Sequence, residues 1–318
     1  ETVIGEWTGR MVKNLESKQA VLEIRTGAAT YKLPAQLIQI ESILAQLGNE
    51  VKLEDVRLQV EISEPAAETA QLVQESAASR DLTLVASALE FHVRVSYGDQ
   101  SVELRQFDTY VQRTIALPDD ADPSRITTGV VVEPDGTVRH VPTQVVRIDG
   151  NYYAKINSLS NSVYAVVWHP MTFPDMFGHW AQEAVNDMGS RMVIDGFEDG
   201  GFRPDEDVTR AEFAAIVVRG LGIGLAKGEA PFQDVSSSDW HNDVVHTAFL
   251  HGLIQGYEDG TFRPQERITR EEAVAILAKA MAITGLGGGN PGADPENVLA
   301  AFADADSVVE WAKVGMAS

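Results

Sequence analysis

The sequence contains no cysteine and little positive charge, and both absences narrow what the chain can do. None of its 318 residues is cysteine, which excludes disulfides, zinc fingers and thiol chemistry. Only 25 lysines and arginines stand against 47 aspartates and glutamates, which gives a formal net charge of −22. A chain this acidic offers no basic face for phosphates, so we expect no nucleic-acid binding.

Long hydrophobic runs are also missing. No uninterrupted apolar stretch approaches the ~20 residues that a membrane-spanning helix needs, so we expect no membrane insertion. Apolar residues still make up 44% of the chain, enough to give a core to each of the roughly two to three domains that its length suggests. The chain begins at Glu1 without a methionine or a signal peptide, so we expect it to be part of a longer protein.

The second half of the chain repeats itself at a spacing of 60 residues. Residues 196–212 (GFEDGGFRPDEDVTRAE) and residues 256–272 (GYEDGTFRPQERITREE) are identical at 11 of 17 positions without a gap. A shorter Phe-x-Asp…Trp signature precedes each stretch, beginning at Phe173 and Phe232, and a third copy begins at Phe302. These patterns predict two full repeats and a truncated third, at residues 173–225, 232–286 and 302–318.

Each full repeat is expected to form a helical hairpin. Apolar residues fall at helical spacing after the tryptophan of each signature, and a glycine-rich turn follows them. A threonine with a glutamate three residues later then marks the start of a second helix, at Thr209 and Thr269, in the capping-box arrangement. A hairpin of ~50 residues cannot bury its apolar stripe alone, so the repeats are expected to pack on one another.

Residues 1–170 show a different pattern. Several segments, such as residues 89–97, alternate apolar and polar side chains at the period of a strand, and Asp-Gly or Gly-Asp pairs between them predict hairpin turns. Two stretches are predicted to be helical instead, residues 37–47 and residues 64–79, the second with Ser63 as its N-cap. We therefore predict a β-rich, sandwich or barrel-like α+β domain, followed by an all-α array of helical-hairpin repeats.

The combination of Phe-x-Asp…Trp, Gly-(Phe/Tyr)-x-Asp-Gly-x-Phe-x-Pro and (Val/Ile)-Thr-Arg-(Ala/Glu)-Glu resembles the S-layer homology (SLH) family, over residues 173–286 and part of 302–318. The resemblance implies helical modules, usually in threes, that bind secondary cell wall polysaccharides, typically pyruvylated ones, and so hold surface proteins on the cell. The first half is similar, more loosely, to a β-rich domain that precedes SLH modules in surface proteins of Paenibacillus-like bacteria. We expect an extracellular location at the cell wall or in an S-layer.

Two arginines are the principal candidate site residues. Arg210 and Arg270 occupy the first position of the second helix in each full repeat, where free backbone N–H groups and the helix dipole favour an anion. A guanidinium there adds a planar pair of donors suited to a carboxylate, such as that of a pyruvylated glycan. The alternative is that Arg210 pairs with Glu206, Asp207 or a carboxylate of the neighbouring repeat. The third repeat ends before its Thr-Arg-x-Glu, so we expect at most two such sites.

Three further pairs, one member from each full repeat, complete the candidate ligand-binding residues: Trp180 with Trp240, Gly200 with Gly260, and Asp175 with Asp234. The tryptophans either line a sugar-binding groove or pack in the core. The glycines either let a glycan approach the backbone or simply form the turn. The aspartates, together with Asp304 of the truncated repeat, are expected to cap the first helix and to contact a ligand hydroxyl.

Catalytic residues, metal ligands and cofactors are not predicted. His241, His246 and His251 are spaced by five residues, which places their rings off a common helix face and argues against a metal site. Phosphate-binding glycine loops, nucleotide fingerprints and a Ser/His/Asp order are all missing from the sequence. We therefore expect a non-catalytic protein that anchors a surface or S-layer protein to the cell wall. Two alternatives remain: the modules tether a polysaccharide-degrading enzyme, or the chain assembles with itself and the repeats serve packing alone.

Overall fold

Strands build the first of two units, Glu1–Met171, whereas the second unit, Thr172–Ser318, contains helices. The computed structural model describes residues 2–48, 51–285, 294–303 and 305–317. The prediction of a strand-rich first half followed by a helix-containing repeat region is confirmed.

The strands of the first unit form two antiparallel sheets within the described residues. In chain order from β1 to β13 they are Thr2–Thr8, Val21–Arg25, Ala29–Pro34, Arg57–Ser63, Thr83–Leu84, Leu89–Tyr97, Gln100–Glu103, Gln106–Ala116, Thr128–Val132, Val138–Val141, Thr143–Ile148, Asn151–Ser160 and Val163–Trp168. One sheet has the order β1-β4-β6-β13-β9-β10, with β5 added to β13 and β7 added to β6. The other has the order β11-β12-β8-β3-β2. The predicted turns join β6 to β7, β9 to β10 and β11 to β12 as hairpins.

Both sheets contribute to one hydrophobic core. Alternate side chains of β4, such as Leu58 and Val60, and of β6, such as Phe91 and Val93, are almost completely buried together with Ile156 of the other sheet. Each apolar side chain of this kind stabilises the fold by roughly 1.5–3 kcal/mol relative to its exposed state. The alternation that predicted the strands therefore also identifies the core.

Three helices accompany the sheets in the described part of this unit: α1 to α3, at Gly9–Ser17, Ile40–Leu47 and Ala67–Ala78. The helix predicted at residues 64–79 starts later than expected, and the assignment of Ser63 as its N-cap was wrong. Ser63 belongs to β4, where pairing with the neighbouring strands buries it, and the residue at the start of α3 makes no side-chain cap.

A buried polar cluster lies where the chain passes from one sheet to the other. β12 ends at Ser160 and β13 begins at Val163 in the other sheet, next to a register shift in β12. The guanidinium of Arg113, which has no exposed surface, donates to the carbonyl oxygen of Ser160 and to Oδ1 of Asn161, the latter at 2.8 Å. The Tyr31 hydroxyl donates to the same Asn161 oxygen at 2.7 Å. We call Arg113, Asn161 and Tyr31 the crossover cluster.

The described helices of the second unit, α4 to α9, are Gln182–Ser190, Arg210–Gly220, Asn242–Leu250, Arg270–Thr284, Pro295–Leu299 and Glu310–Ala317. Both predicted capping boxes form. The side chains of Thr209 and Thr269 accept hydrogen bonds from the backbone N–H groups of Glu212 and Glu272, at 3.2 Å in each case, and both glutamates accept in return.

Packing in the second unit runs between repeats. The second helix of one repeat packs on the first helix of the next, so that α5 packs on α6, and α7 packs on α9. An isolated antiparallel bridge also pairs Thr209 with Arg267 of the next repeat, so a purely helical description of this unit is incomplete. Among the described residues, no helix combines the length and apolarity needed to cross a membrane.

Candidate functional site

The glycine-rich turn of each full repeat is held by an aspartate from the start of that repeat. Asp175 accepts hydrogen bonds from the backbone N–H groups of Phe202 and Arg203, at 2.9 and 2.6 Å. Asp234 accepts from the two equivalent N–H groups of the second repeat, at 2.8 and 2.7 Å. These bonds lower the pKa of Asp175 below its ordinary value. Asp304 lies outside the described residues.

The prediction that these aspartates cap the first helix was therefore wrong. Neither α4 nor α6 has a side-chain cap at its start. The aspartates satisfy backbone donors 27 to 29 residues further along the chain instead. Their two carboxylate oxygens serve to fix the turn.

Each turn also carries an arginine that the sequence did not single out. Arg203 and Arg263 have φ values of 60° and 57°, in the region that favours glycine. In both, the guanidinium carbon lies 4.0 Å from the centre of an aromatic ring of the same turn, Phe197 or Tyr257. Each guanidinium also pairs with an aspartate four residues earlier, at 3.1 Å. The repeated Phe-Arg-Pro triplet was the sequence signal for this stacked turn.

Arg210 lies buried between the first and second repeats. Its Nη1 is 2.5 Å from Oε1 of Glu272, and its Nε donates to the carbonyl oxygen of Phe262 at 2.8 Å. The guanidinium also stacks near the rings of Tyr257 and Phe262. The Arg210 side chain is thus paired with a carboxylate of the neighbouring repeat, which was the alternative interpretation of its role. In this structure it is not accessible to an external anion.

Glu272 links its own helix to the preceding repeat. Burial alone would raise the pKa of this carboxyl group, but hydrogen bonds from the Thr269 N–H and the Tyr257 hydroxyl, together with the Arg210 charge, hold the pKa below its ordinary value. In the first repeat, Phe197 replaces Tyr257 and cannot donate such a bond. The sequence had predicted Glu272 only as part of a capping box.

The two helix starts that carry the candidate arginines differ in accessibility. At α5, the N–H groups of Arg210 and Ala211 donate to the carbonyl oxygens of Glu266 and Pro264, at 2.9 and 3.0 Å. At α7, Arg270 is exposed, and within the described part of the chain neither its guanidinium nor its N–H has a hydrogen-bonding or ionic partner. The start of α5 is therefore occupied by the protein itself, whereas the start of α7 is open as far as the described residues extend.

The two candidate tryptophans lie on the surface rather than in the core. Trp180 is 91% exposed and Trp240 is 58% exposed. Each ring contacts a neighbouring histidine, His179 or His241, with centroid distances of 5.5 and 5.2 Å. Broad aromatic faces are therefore available to a ligand in both repeats.

The candidate glycines occupy turns that require them. Gly200 and Gly260 have φ values of 81° and 79°, which side-chain-bearing residues rarely adopt. A Cβ on Gly200 would meet no atom within 4 Å, whereas one on Gly260 would lie 3.0 Å from the Gln233 amide nitrogen. The backbone at Gly200 is thus open to approach, and the one at Gly260 is partly covered.

His241, beside Trp240, is a buried histidine without a hydrogen bond. Its residue surface is 3% exposed, and neither ring nitrogen has a hydrogen-bonding partner in the described structure. Burial lowers the pKa of the ring, against the opposing charges of Asp239, whose Oδ2 is 3.7 Å from Nε2, and Asp234. The folded chain therefore favours the neutral imidazole.

We expect the second unit to lose stability when the pH falls from about 7 to about 5.5. An unfolded histidine, with a pKa near 6.5, takes up a proton in this range that the folded His241 resists. This contribution of His241 to the stability of the second unit is fully present at pH values above the pKa of the unfolded histidine. It decreases as the pH falls from there towards the pKa of the folded His241. Urea unfolding of the wild type and of His241→Leu at both pH values measures the effect, since the other histidines titrate in both proteins. An equal pH dependence of the two midpoints would contradict it.

Both full repeats match a known domain family. The model of the S-layer homology domain matches residues 172–214 and 231–274. The chain is 35% identical over 159 residues to an amylopullulanase of Thermoanaerobacterium thermosulfurigenes, which covers 49% of this chain and 8% of that relative. It is 34% identical over 134 residues to the surface-layer 125 kDa protein of Lysinibacillus sphaericus, covering 42% of this chain and 10% of the relative.

A third relative is the cellulosome-anchoring protein of Acetivibrio thermocellus, which is 34% identical over 117 residues, covering 35% of this chain and 26% of the relative. The chain spans no more than 26% of the length of these three relatives. The chain thus contains two regions that match the S-layer homology domain. Its domains and its S-layer relatives indicate a location at the cell wall or cell surface and support cell-surface anchoring.

Proposed function

We propose that this chain anchors a surface protein to the bacterial cell wall by binding an acidic secondary wall polysaccharide, with Arg270 receiving a pyruvyl carboxylate. The open start of α7 is the observation that carries the proposal. Arg270 is exposed and unpaired among the described residues, whereas Arg210, its counterpart one repeat earlier, is neutralised by Glu272.

The chemistry at the start of α7 suits a carboxylate. The N–H groups at a helix start and the positive end of the helix dipole favour an anion, and a guanidinium adds two parallel donors. On a chain of net charge −22, an acidic polymer is repelled at long range, so such a local cation is needed to hold it. The surface-layer and cellulosome-anchoring names of two relatives agree with an anchoring role.

Trp180 and Trp240 supply sugar-binding surface in this proposal. Their exposed rings present broad apolar faces on which the C–H face of a sugar can stack. Gly200 leaves the backbone of the first turn open to the same ligand. Asp175, Asp234 and Gly260 contribute by holding the turns in shape.

Arg270→Ala tests the proposal directly. We expect its affinity for sacculi that carry pyruvylated polymer to fall about tenfold, as for the loss of one charge-assisted contact, with the unfolding midpoint unchanged. The measurement is co-sedimentation of the whole chain with purified sacculi over a range of protein concentrations. The difference should shrink as the salt concentration rises, because a surface ion pair is screened.

Two controls make this experiment specific. Arg219→Ala removes the same charge from the end of α5, where the side chain pairs with Asp195, and should bind as the wild type does. Mild acid removal of pyruvate from the sacculi should lower wild-type binding to the level of Arg270→Ala. Equal binding of Arg270→Ala and wild type to untreated sacculi would refute the role given to Arg270.

A further inference from the structure

A cleft in the first unit lies apart from the SLH repeats in the chain. It has a volume of about 430 Å³ and is formed by α2, with the residues just before it, and by the segment from β7 into β8. Its polar side chains come from both of these elements: Gln39, Ser42 and Gln46 from the first, and Glu103, Arg105, Gln106 and Asp108 from the second. The buried side chains of Ile38, Ile43 and Phe107 line the cleft as well.

The strand side of this cleft is fixed from behind by the crossover cluster. Asn161 donates its side-chain amide to the carbonyl oxygen of Leu104 at 3.0 Å and its backbone N–H to that of Arg105 at 2.9 Å. Gln106 pairs with Ser160 at the register shift of β12. A rigid backbone supported by buried hydrogen bonds is the arrangement that precise binding requires.

Several polar side chains of the cleft are unused by the fold. Within the described residues, those of Gln39, Ser42, Gln46, Gln106 and Asp108 make no hydrogen bond or ion pair with the protein. Gln39 also has a φ of 52° at the start of α2. Such strained conformations cost of order 1–3 kcal/mol and cluster at binding sites.

The hydrogen-bond donors and acceptors that line the cleft indicate the chemical class of its ligand. Three glutamine amides both donate and accept, and Ser42 adds a hydroxyl group. Arg105 is paired with Glu103 at 2.9 Å, so the unpaired Asp108 leaves the cleft with an acidic balance. This balance disfavours a polyanion such as an acidic wall polymer. Sugar hydroxyl groups match the amides and the carboxylate, and the half-buried side chains of Leu37, Val102 and Leu104, which also line the cleft, can contact the C–H face of a sugar ring.

We propose that this cleft is a second carbohydrate site, which binds a neutral oligosaccharide of hexoses or N-acetylhexosamines. The site is independent of Arg270 and of the acidic polymer proposed for the SLH repeats. The chain would then contact two chemically different glycans through its two units.

A glycan array of neutral hexose and N-acetylhexosamine oligomers, probed with the whole chain, tests the proposal. We expect binding to at least one neutral oligomer, with an affinity that falls about tenfold in Gln106→Ala and in Gln46→Ala, as measured by calorimetry with that oligomer. Gln74→Ala on α3, an exposed glutamine outside the cleft, is the matched control and should bind as the wild type does.

Three results would overturn this second site. They are the absence of binding to every neutral oligomer, equal affinity of both cleft variants and the control, or a cleft-dependent affinity for cationic peptides instead of sugars. Arg270→Ala should retain full affinity for the neutral oligomer, and the cleft variants should retain full binding to pyruvylated sacculi. Failure of one site therefore leaves the test of the other intact.

Discussion

Arg210→Ala is expected to lower the free energy of unfolding of the second unit by about 3–5 kcal/mol. The substitution leaves the half-buried carboxylate of Glu272 without its cation and the carbonyl oxygen of Phe262 without its donor. It also removes the guanidinium that stacks on Tyr257 between the repeats. Urea unfolding followed by tryptophan fluorescence measures the loss, because Trp180 and Trp240 both lie in this unit.

Two variants separate the buried ion pair from a general effect of removing an arginine. Arg270→Ala changes the equivalent residue of the next repeat, and because that side chain is exposed, the cost should stay within about 0.5 kcal/mol. Arg210→Met combined with Glu272→Met should recover most of the loss, since replacing a buried pair by apolar side chains is often nearly neutral. The missing capping-box glutamate should leave a residual cost of about 1 kcal/mol. Equal effects of Arg210→Ala and Arg270→Ala would contradict the structural role of Arg210.

In the first unit, Arg113→Ala is expected to cost about 3–5 kcal/mol of unfolding free energy, as for other truncations of large buried side chains. The guanidinium has no exposed surface, donates to Ser160 and Asn161, and lies 4.3 Å from the ring centre of Tyr164. Its loss removes one donor from each of these two acceptors, which still accept from the hydroxyl groups of Tyr164 and Tyr31, and opens a cavity at the point where the chain changes sheets. Thermal unfolding followed by circular dichroism measures the effect.

Arg94→Ala provides the control for this second prediction. Arg94 lies on β6, is exposed, and has no side-chain partner among the described residues, so its loss should cost no more than about 0.5 kcal/mol. Arg113→Lys should fall between the two, because an ammonium keeps the charge but not the planar fork that reaches both acceptors. A cost below about 1 kcal/mol for Arg113→Ala would show that the cluster does not need the guanidinium.

The repeats and the starts of their second helices were predictable from the sequence because the forces that form them are local. A capping box needs only a threonine and a glutamate three residues apart, and both boxes form at Thr209 and Thr269. The alternation of apolar and polar residues along β4 and β6 likewise predicted strands, and the Asp-Gly and Gly-Asp pairs predicted the turns between paired strands. Both predictions were possible because each pattern spans only a few residues.

Long-range pairing decided the remaining features. Arg210 and Arg270 have the same local sequence, yet one is buried against Glu272 and the other is exposed. Among the residues that the structure describes, only Arg210 has the turn of a following repeat packed against its helix start. Asp175 suits a helix cap by its position, but the tertiary structure brings it to backbone donors 27 and 28 residues away. The charge of Arg113 sits in the core only because strands distant in sequence meet around it. Side-chain type and spacing thus determined the local structure of this protein, whereas the use of each charged group depended on which partner the fold brought within hydrogen-bonding distance.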